Sequence, residues 1–420
     1  MTRNIRFSLI TIVLLVVAPF LDTRAQTGSI SPYSRFGIGD LHSEGYTWQI
    51  SMGGAGSAMA NSFYINTMNP AALVFDTVTI FEFGLRGEYS TYSTKDQTIS
   101  ASSANFSHFC LAFPVKKQRW SAALGITPVS STGYDLNLYE NIDNVGPVRN
   151  SYQGSGGLSR FFLANGFKLS KHFSVGINAS YLFGTIENTK SVEFPFGTNY
   201  FNTKYINSVT VGDFYFNYGL LYTTQLKNNR RLSIGIAGAP DTRTSATNYE
   251  YYYNYTKVAG IEIIKDTVLK DIKTRGELML PAYLRFGVTL ANYGKWSASM
   301  DVNFQQWEDF ENFGKKDSLT NSYSIHAGGE YRLEKLILRA GGKYRKNYLE
   351  LRDTPINEYG VSFGIGLVKL FAKRPASTLN FGLELLRRGT TENGLIAENY
   401  IRFHIGLTLA DIWFVKPKYE

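Results

Sequence analysis

The stretch that decides the fold is the last regular one in the chain, Tyr400-Ile401-Arg402-Phe403-His404-Ile405-Gly406-Leu407-Thr408-Leu409-Ala410. Its odd-numbered positions are large and apolar, whereas its even-numbered positions are mostly polar, charged or small. Because successive side chains of a strand point to opposite faces, this alternation predicts a strand with one apolar and one wet face. Similar stretches recur along most of the chain. The pattern is typical of a membrane β-barrel, whose outer surface meets lipid and whose interior is polar.

Counting these stretches predicts an all-β protein, a 14-stranded antiparallel transmembrane β-barrel. Most stretches reach the roughly nine to eleven residues that a tilted membrane strand needs. Short turns alternate with longer loops, as expected when the short turns form the periplasmic rim. The predicted strands cover 77–90, 104–114, 119–128, 157–169, 172–186, 211–227, 230–239, 281–291, 295–305, 322–332, 335–346, 357–368, 377–387 and 399–413. The predicted long loops cover 91–103, 129–156, 187–210, 240–280, 306–321, 347–356 and 388–398.

The residues before the first strand do not alternate, and they divide into two segments. Arg3 and Arg6 precede a short apolar run, and Ala25 supplies the small residue of a cleavage site. Residues 1–25 are therefore predicted to be a signal peptide. Residues 26–76 are rich in glycine and alanine. Since fourteen strands enclose a space too wide for their own side chains to fill, this segment is predicted to be an N-terminal hatch or plug. Residues 77–420 form the predicted barrel, in the outer membrane of a Gram-negative bacterium.

The wet face of the predicted strands carries charges of both signs. Mixed signs predict ion pairs across the lumen and with the hatch, rather than a selectivity filter of one sign. The candidate lumen and hatch contacts are Arg86, Arg285, Asp301, Glu330, Arg339 and Arg402. Methionines of the hatch, Met52, Met59 and Met68, either line an apolar cavity or pack the hatch.

Motifs for catalysis, cofactors and metals are missing from the sequence. The one cysteine, Cys110, has no CxxC partner, and Gly53–Gly56 lacks the preceding strand and the lysine of a phosphate-binding loop. The five histidines are scattered, with no GxSxG nucleophile motif to support a hydrolase. No basic stripe with interleaved stacking residues indicates nucleic-acid binding. We therefore expect neither enzyme activity nor a cofactor, a metal or a nucleic-acid partner.

Four short motifs, in order along the chain, resemble the FadL-like outer-membrane transporters. The first is the small-residue stretch Gly53–Gly56 leading to Asn69-Pro70-Ala71 just before the first strand, which matches the family's hatch motif. The others are Leu280-Pro281 before a Gly-Val strand, Asp301 through Trp307, and Arg339-Ala340-Gly341 with Tyr344. The resemblance implies a fourteen-stranded barrel with an N-terminal hatch. It also implies transport of hydrophobic small molecules such as long-chain fatty acids, through an inner pocket and an opening in the wall.

Two departures keep a second function open. Residues 31–41 are not the usual start of such a transporter, and the lumen carries many charges. The carboxyl end, Leu407 through Phe414 and then Val415-Lys416-Pro417-Lys418, is similar to the ends of barrels that serve secretion or assembly machines. The alternative is a structural or scaffolding barrel within an outer-membrane protein secretion or assembly complex. The expected partners are outer-membrane lipid and either a hydrophobic ligand or other complex subunits.

Overall fold

The computed structural model describes residues 31–194, 200–368 and 377–413. The predicted signal peptide, residues 1–25, lies outside the described residues, as do the first five residues of the predicted hatch. The same holds for the whole of the predicted short turn at 369–376 and for the end of the predicted barrel, from residue 414 onward.

Fourteen strands of the described chain form a closed antiparallel barrel, which confirms the predicted fold class. Each strand pairs with the next, and the last pairs with the first, so that Ser93 faces Ala397 and Thr79 faces Asp411. The strands are β1 Thr79–Ser93, β2 Thr98–Lys116, β3 Trp120–Ser131, β4 Gly146–Lys168, β5 Phe173–Glu193, β6 Asn202–Leu226, β7 Arg230–Ala239, β8 Tyr283–Asn292, β9 Trp296–Gln305, β10 Ser322–Arg332, β11 Leu336–Leu351, β12 Thr354–Val368, β13 Thr378–Arg388 and β14 Ala397–Asp411.

The alternation seen in the sequence separates lipid-facing from lumenal side chains. In β14, Ile401 and Phe403 are 38% and 44% exposed on the outer surface, whereas His404 and Thr408 are buried within. An exposed apolar outside and a buried polar inside reverse the arrangement of a water-soluble protein, and this suits a wall that lipid surrounds. No helix in the described part of the chain is long and apolar enough to cross a membrane.

Several predicted long loops are wrong, because the strands continue beyond the height of a membrane. The predicted loop at 91–103 is mostly strand, with its turn at 94–97, and that at 347–356 narrows to a turn at Arg352 and Asp353. Both turn residues have φ near +55°, as in the tight hairpin turns that match strand twist. The predicted loop at 240–280 is a hairpin of Thr242–Val258 and Ile261–Leu280, and most of the loop at 129–156 is strand, including Tyr134–Ile142.

The rim of the barrel that bears the longer connections is called here the long-loop rim. Most of the additional strands extend the sheet beyond this rim. The Thr242–Val258 strand pairs with the upper half of β6, and Tyr134–Ile142 pairs with the upper half of β4. Three two-residue strands complete the set: Asp40–Leu41, Glu311–Asn312 and Lys315–Lys316. The helices of the described chain are single turns at Pro32–Arg35, Thr47–Ile50, Pro70–Phe75, Trp307–Asp309 and Glu392–Gly394.

Tryptophans lie at both ends of the barrel. Trp120 and Trp296 begin β3 and β9 at the short-turn rim, and Trp413 follows β14 there, as in a rim of aromatic side chains. Trp307 follows β9 at the opposite end. The helical turn there directs it inward, where it is 2% exposed and stacks on Tyr348 at 4.4 Å.

Residues 31–76, which we call the inner segment, lie within the barrel. Trp48, Met52 and Leu73 are fully buried, and the Thr47–Ile50 turn packs against β12, β13 and β14. The Pro70–Phe75 turn packs against β3 to β6 on the other side of the lumen. The wall accommodates this contact with lumenal glycines: a Cβ on Gly176 would overlap the backbone of Pro70, and one on Gly341 would overlap that of Met52.

Candidate functional site

The motif Asn69-Pro70-Ala71 attaches the end of the inner segment to the wall near the short-turn rim. Asn69 caps the Pro70–Phe75 turn, because its Oδ1 accepts a hydrogen bond from the Ala71 N–H at 3.1 Å. Pro70 stands at the first position of the turn, where its missing N–H costs nothing. The Asn69 amide also donates to the Leu220 carbonyl of β6 at 3.2 Å, and the Ala71 carbonyl accepts from Ser174 Oγ of β5 at 3.0 Å.

Asp301 and Arg285 hold the middle of the inner segment from neighbouring strands. The Oδ2 atom of Asp301 accepts the N–H groups of Gly56 at 3.1 Å and Ser57 at 2.9 Å. Arg285 forms an ion pair with Glu44 and donates through Nε to the Asn303 side chain at 2.7 Å. Burial raises the pKa of Glu44, but the charges of Arg285, Arg160 and Arg345 and the Arg285 hydrogen bond together outweigh it, so that the pKa lies below its usual value. Glu44 therefore remains ionised beside Arg285 at neutral pH.

Arg339 and Glu330 contact the inner segment through Tyr64. Arg339 Nη2 donates to the Tyr64 hydroxyl at 2.8 Å, and its Nε lies 3.3 Å from Glu330 Oε2. The guanidinium also faces the Tyr64 ring at 5.4 Å, within the range of a cation–π contact. Arg339 Nη1 donates to Asn380 Oδ1 at 2.9 Å, which links β11 to β13.

Arg86 and Arg402 belong to a second group of charges, nearer the long-loop rim. Arg86 Nη1 lies 2.8 Å from His42 Nδ1. Burial, and then the positive charges of Arg86 and Arg402, hold the pKa of His42 well below its usual value. The imidazole is therefore neutral and accepts the Arg86 hydrogen bond through Nδ1. Arg402 pairs with Glu88 and lies 3.7 Å from Glu384, so these two ion pairs are with the wall rather than with the inner segment.

Sequence analysis missed the partners that the inner segment itself supplies. His42, Glu44 and Tyr64 lie in irregular backbone, where no period shows which side chains meet the wall. It also missed Arg388 of β13, which donates to Asp40 at 2.7 Å, to Ser31 Oγ at 2.7 Å and to Tyr400, and pairs with Glu398. The predicted strand 377–387 ends one residue before Arg388, so its alternation, continued by one residue, would have placed Arg388 in the lumen.

A cavity of about 170 Å³ lies between the inner segment and the wall. Six basic side chains and two acidic ones line it, so the surplus of charge is positive. The acidic members are Glu44 and Glu384, and the basic ones are Arg86, Arg160, Arg285, Lys343, Arg345 and Arg402. Met68 lines this cavity as well, whereas Met52 and Met59 pack with Trp48 in the buried cluster below.

The wall beside this cavity is interrupted between β2 and β3. Their pairing runs from Lys116 and Trp120 only as far as Phe109 and Ile126, and no further register partners join the two strands in the described chain. Pro128 lacks an N–H and cannot extend the ladder. Above it, Ser130 and Ser131 pair instead with Leu41 and Asp40 of the inner segment.

This interruption, which we call the lateral gap, borders the cavity directly. The cavity lining includes Phe106 and Ser107 of β2, and Thr127, Pro128 and Val129 of β3. A one-residue bulge at Ser107 opposite β1 marks the same level of the wall. Bulges and prolines end strand pairing at defined points, so the sequence itself, through Ser107 and Pro128, determines where the gap lies.

In the part of the chain that the structure describes, the polar side chains of the lumen form contacts with one another and with the inner segment, and they do not form a metal site. Within the described ranges, no cluster of histidine, cysteine, aspartate or glutamate could hold a metal ion. Cys110 is fully buried on the lumenal face of β2, beneath the inner segment. Arg86, Arg285, Asp301 and Arg339 are bound to the inner segment, and these contacts fix the position of residues 42–64.

Replacing Asp301 with alanine is expected to destabilise the barrel by about 3 kcal/mol, because the buried N–H groups of Gly56 and Ser57 both lose their acceptor. The free energy of unfolding in urea would be measured for the purified protein in detergent micelles. Asp301→Asn is the matched variant, because it retains an acceptor oxygen at the same place and should lose much less. An Asp301→Ala protein that unfolds with the wild-type free energy would contradict this role for the carboxylate.

Solved structures with the same architecture include a FadL homologue and two toluene transporters. A FadL homologue of Pseudomonas aeruginosa superposes with a TM-score of 0.59 at 12% identity, covering 88% of this chain and 99% of its own. The Pseudomonas putida toluene transporter TodX gives 0.59 at 16% identity, covering 90% and 100%. The Ralstonia pickettii toluene transporter TbuX gives 0.55 at 14%, covering 88% and 98%. No curated protein sequence matches the chain significantly.

The closed barrel of fourteen strands, with lipid-facing apolar residues outside and a filled polar lumen, defines an outer-membrane barrel with the FadL-like fold. The resemblance stated from sequence is thereby confirmed at the level of the fold. More narrowly, the chain belongs to the BamG family, whose model matches residues 1–420. The predicted location in the outer membrane is also confirmed. We assign the long-loop rim to the extracellular side, because outer-membrane barrels carry their longer loops there.

Proposed function

We propose that this barrel transfers hydrophobic small molecules, such as long-chain fatty acids, across the outer membrane, with the inner segment as its hatch. The observation that carries the proposal is the lateral gap, because it joins a lumenal cavity to the level of the lipid. A hydrophobic molecule leaving through the wall enters the membrane without crossing the ion-paired layer beneath, which the buried Arg339, Glu330 and Tyr64 form.

The lining of the cavity supports an amphipathic cargo. Phe106, Val129 and Leu41 offer apolar surface at the gap, and the surplus of basic side chains further inside suits a carboxylate head group. The solved structures of the same fold include proteins described as toluene transporters. Toluene is uncharged. A fatty acid and an aromatic hydrocarbon are therefore the two probes that distinguish a cargo with a carboxylate head group from an uncharged cargo.

The test is uptake of labelled oleate and labelled toluene into vesicles that contain the purified barrel. Ser107→Trp is expected to reduce uptake to the rate of protein-free vesicles, because the indole would occupy the gap. Leu85→Trp is the matched control, since Leu85 faces lipid on the neighbouring strand and is 41% exposed. Wild-type uptake no faster than that of empty vesicles, or uptake unaffected by Ser107→Trp, would contradict the proposal.

A second function, that of a structural subunit in an outer-membrane protein complex, is favoured by a different observation. The hairpin of Thr242–Val258 and Ile261–Leu280 projects beyond the extracellular rim, and Ile261, Ile264 and Val268 are each at least half exposed. An exposed apolar strand at the edge of a sheet is a site where a partner chain can add.

This second function is tested by shortening the hairpin. Residues 251–271 would be removed and Glu250 joined to its register partner Ile272 by an Asn-Gly turn. If the barrel is a complex subunit, gentle solubilisation should release the wild-type protein in an assembly of fixed stoichiometry, and the shortened protein as a folded monomer. A wild-type barrel that is always isolated alone would exclude this function.

A further inference from the structure

A second cavity, of about 390 Å³, opens at the extracellular mouth of the barrel. We call it the outer cleft. Its walls are the extracellular sheet, which contributes Tyr134, Tyr205 and Asn248, and the short hairpin that carries Asn312 and Lys315. This cleft is distinct from the lumenal cavity that the lateral gap borders.

An apolar layer separates the two cavities. Val209 and Phe313 line the outer cleft, whereas Ile38 and Trp307 line the lumenal cavity, and all four belong to one buried cluster. Phe310, at the centre of that cluster, is fully buried. A ligand in the outer cleft therefore contacts a set of groups that the proposed transfer of hydrophobic molecules does not use.

Carboxamide groups dominate the chemistry of the outer cleft. Asn207 Nδ2 donates to Asn248 Oδ1 at 2.7 Å, and Asn248 Nδ2 donates to Glu250 Oε1 at 3.1 Å. On the facing strands, the Tyr134 hydroxyl donates to Asn188 Oδ1 at 2.7 Å. These bonds orient each amide while leaving some of its two donors and its acceptor lone pairs available.

Four asparagines line the cleft: Asn188, Asn207, Asn248 and Asn312. Asn188, Asn207 and Asn248 take part in the hydrogen bonds just described. Alternating donors and acceptors of this kind match the vicinal hydroxyl groups of a saccharide, and the rings of Tyr134 and Tyr205 offer apolar faces to its C–H surface.

The charge of the cleft selects among saccharides. Arg35, Lys190 and Lys315 line it against one carboxylate, Glu250, so that positive charge is in excess. Arg35 comes from the inner segment, and its guanidinium lies 5.7 Å from the centre of the Tyr152 ring, within the range of a cation–π contact. A ligand with carboxylate or sulfate groups would be attracted at this surface, whereas an uncharged one would gain only hydrogen bonds.

We propose that the outer cleft binds an acidic oligosaccharide at the cell surface. The amides recognise its hydroxyl groups, the tyrosine rings contact its sugar faces, and the basic side chains pair with its acidic groups. Neither a hydrophobic molecule nor a simple anion uses all three features of this cleft. The proposal is independent of the lateral gap, and its test does not involve uptake.

The experiment measures binding of tetragalacturonate to the purified barrel in detergent by calorimetry, beside maltotetraose and tetraglutamate. The acidic saccharide should bind most tightly, because it alone combines hydroxyls with carboxylates. Lys315→Ala should weaken its binding about threefold, as for loss of an exposed ion pair. Asn248→Ala should weaken it about tenfold, because it removes the central amide. Lys316→Ala is the matched control, because that lysine is outside the lining and should change nothing.

Each other outcome overturns the proposal. Absence of tetragalacturonate binding would show that the cleft is not a saccharide site. Equal affinity for maltotetraose would remove the acidic part of the assignment, and equal affinity for tetraglutamate would show that only charge is read. An equal loss in the Lys315→Ala and Lys316→Ala proteins would place the site elsewhere. A heat-modifiable band on unboiled gels establishes that each variant is folded before binding is compared.

Discussion

Replacing Gly341 with valine is expected to displace the inner segment from the wall. A side chain at this position would overlap the backbone of Met52 and Gly53, and overpacking of this severity costs about 3 kcal/mol. Cys110 reports the displacement, because it is the one cysteine of the chain and is fully buried under the cluster that contains Met52. Its labelling by a charged maleimide in native vesicles should become about 100-fold faster.

A valine at Gly87 provides the matched control. Gly87 lies in β1, close to the strand of Cys110, and a Cβ there would meet nothing within 4 Å. Labelling of this variant should remain as slow as in the wild type. Gly341→Ala should lie between the two, because a single methyl group already overlaps the inner segment. Equal labelling rates in Gly341→Val and Gly87→Val would contradict the close contact of Gly341 with the inner segment.

Replacing Arg388 with leucine is expected to destabilise the barrel by roughly 3–5 kcal/mol. Arg388 is the basic partner of Asp40 and Glu398, and the Glu398 side chain is fully buried. Its loss leaves a buried carboxylate without a counter-charge and frees the end of the inner segment at Ser31. The free energy of unfolding in urea measures the effect, and the heat-modifiable band shows whether the folded barrel survives.

Arg387, the neighbour of Arg388, serves as the control, because its replacement removes the same charge from the exposed face of the strand. Arg387→Leu removes an exposed side chain from the opposite face of β13 and should change stability little. The double variant Arg388→Leu with Glu398→Leu should recover much of the loss, because replacing a buried ion pair with apolar residues is often nearly neutral. If Arg388→Leu proves as mild as Arg387→Leu, the cluster around Arg388 does not hold the segment.

The wall of the barrel was predictable because its side chains alternate regularly between two environments. Lipid outside and water or protein inside impose a period of two on every strand, so Ile401 and Phe403 could be separated from Arg402 and His404 by counting alone. The extracellular hairpin escaped the same count. Around its aromatic run, Glu250 to Tyr255, register shifts interrupt the pairing, and one face is not consistently apolar beyond the membrane.

For the lumenal site, the sequence predicted the residues of the wall but not their partners in the inner segment. Parity placed Arg285, Asp301 and Arg339 inside, but it could not assign their partners, because Glu44, Gly56 and Tyr64 lie in irregular backbone. Two of the three contacts of Asp301 and Arg339 with the inner segment go to main-chain N–H groups, which every residue carries and which no side-chain pattern reveals. The lateral gap depends on a bulge at Ser107 and a proline in β3, and neither defines an opening until the facing strand is known.

The seam between β1 and β14 bears on the order in which the molecule assembles. It joins the first and last strands, and the Arg402–Glu88 pair across it spans 314 positions of sequence. Pairings between such distant parts of a chain carry the largest loop-closure cost and form late in folding. Residues 31–76 precede all fourteen barrel strands, yet they reach from the short-turn rim to Arg388 at the other end of the lumen. If the strands close around this segment, it need not be threaded through a finished barrel. We therefore expect the inner segment to be in place before β1 and β14 pair, so that the wall forms around it.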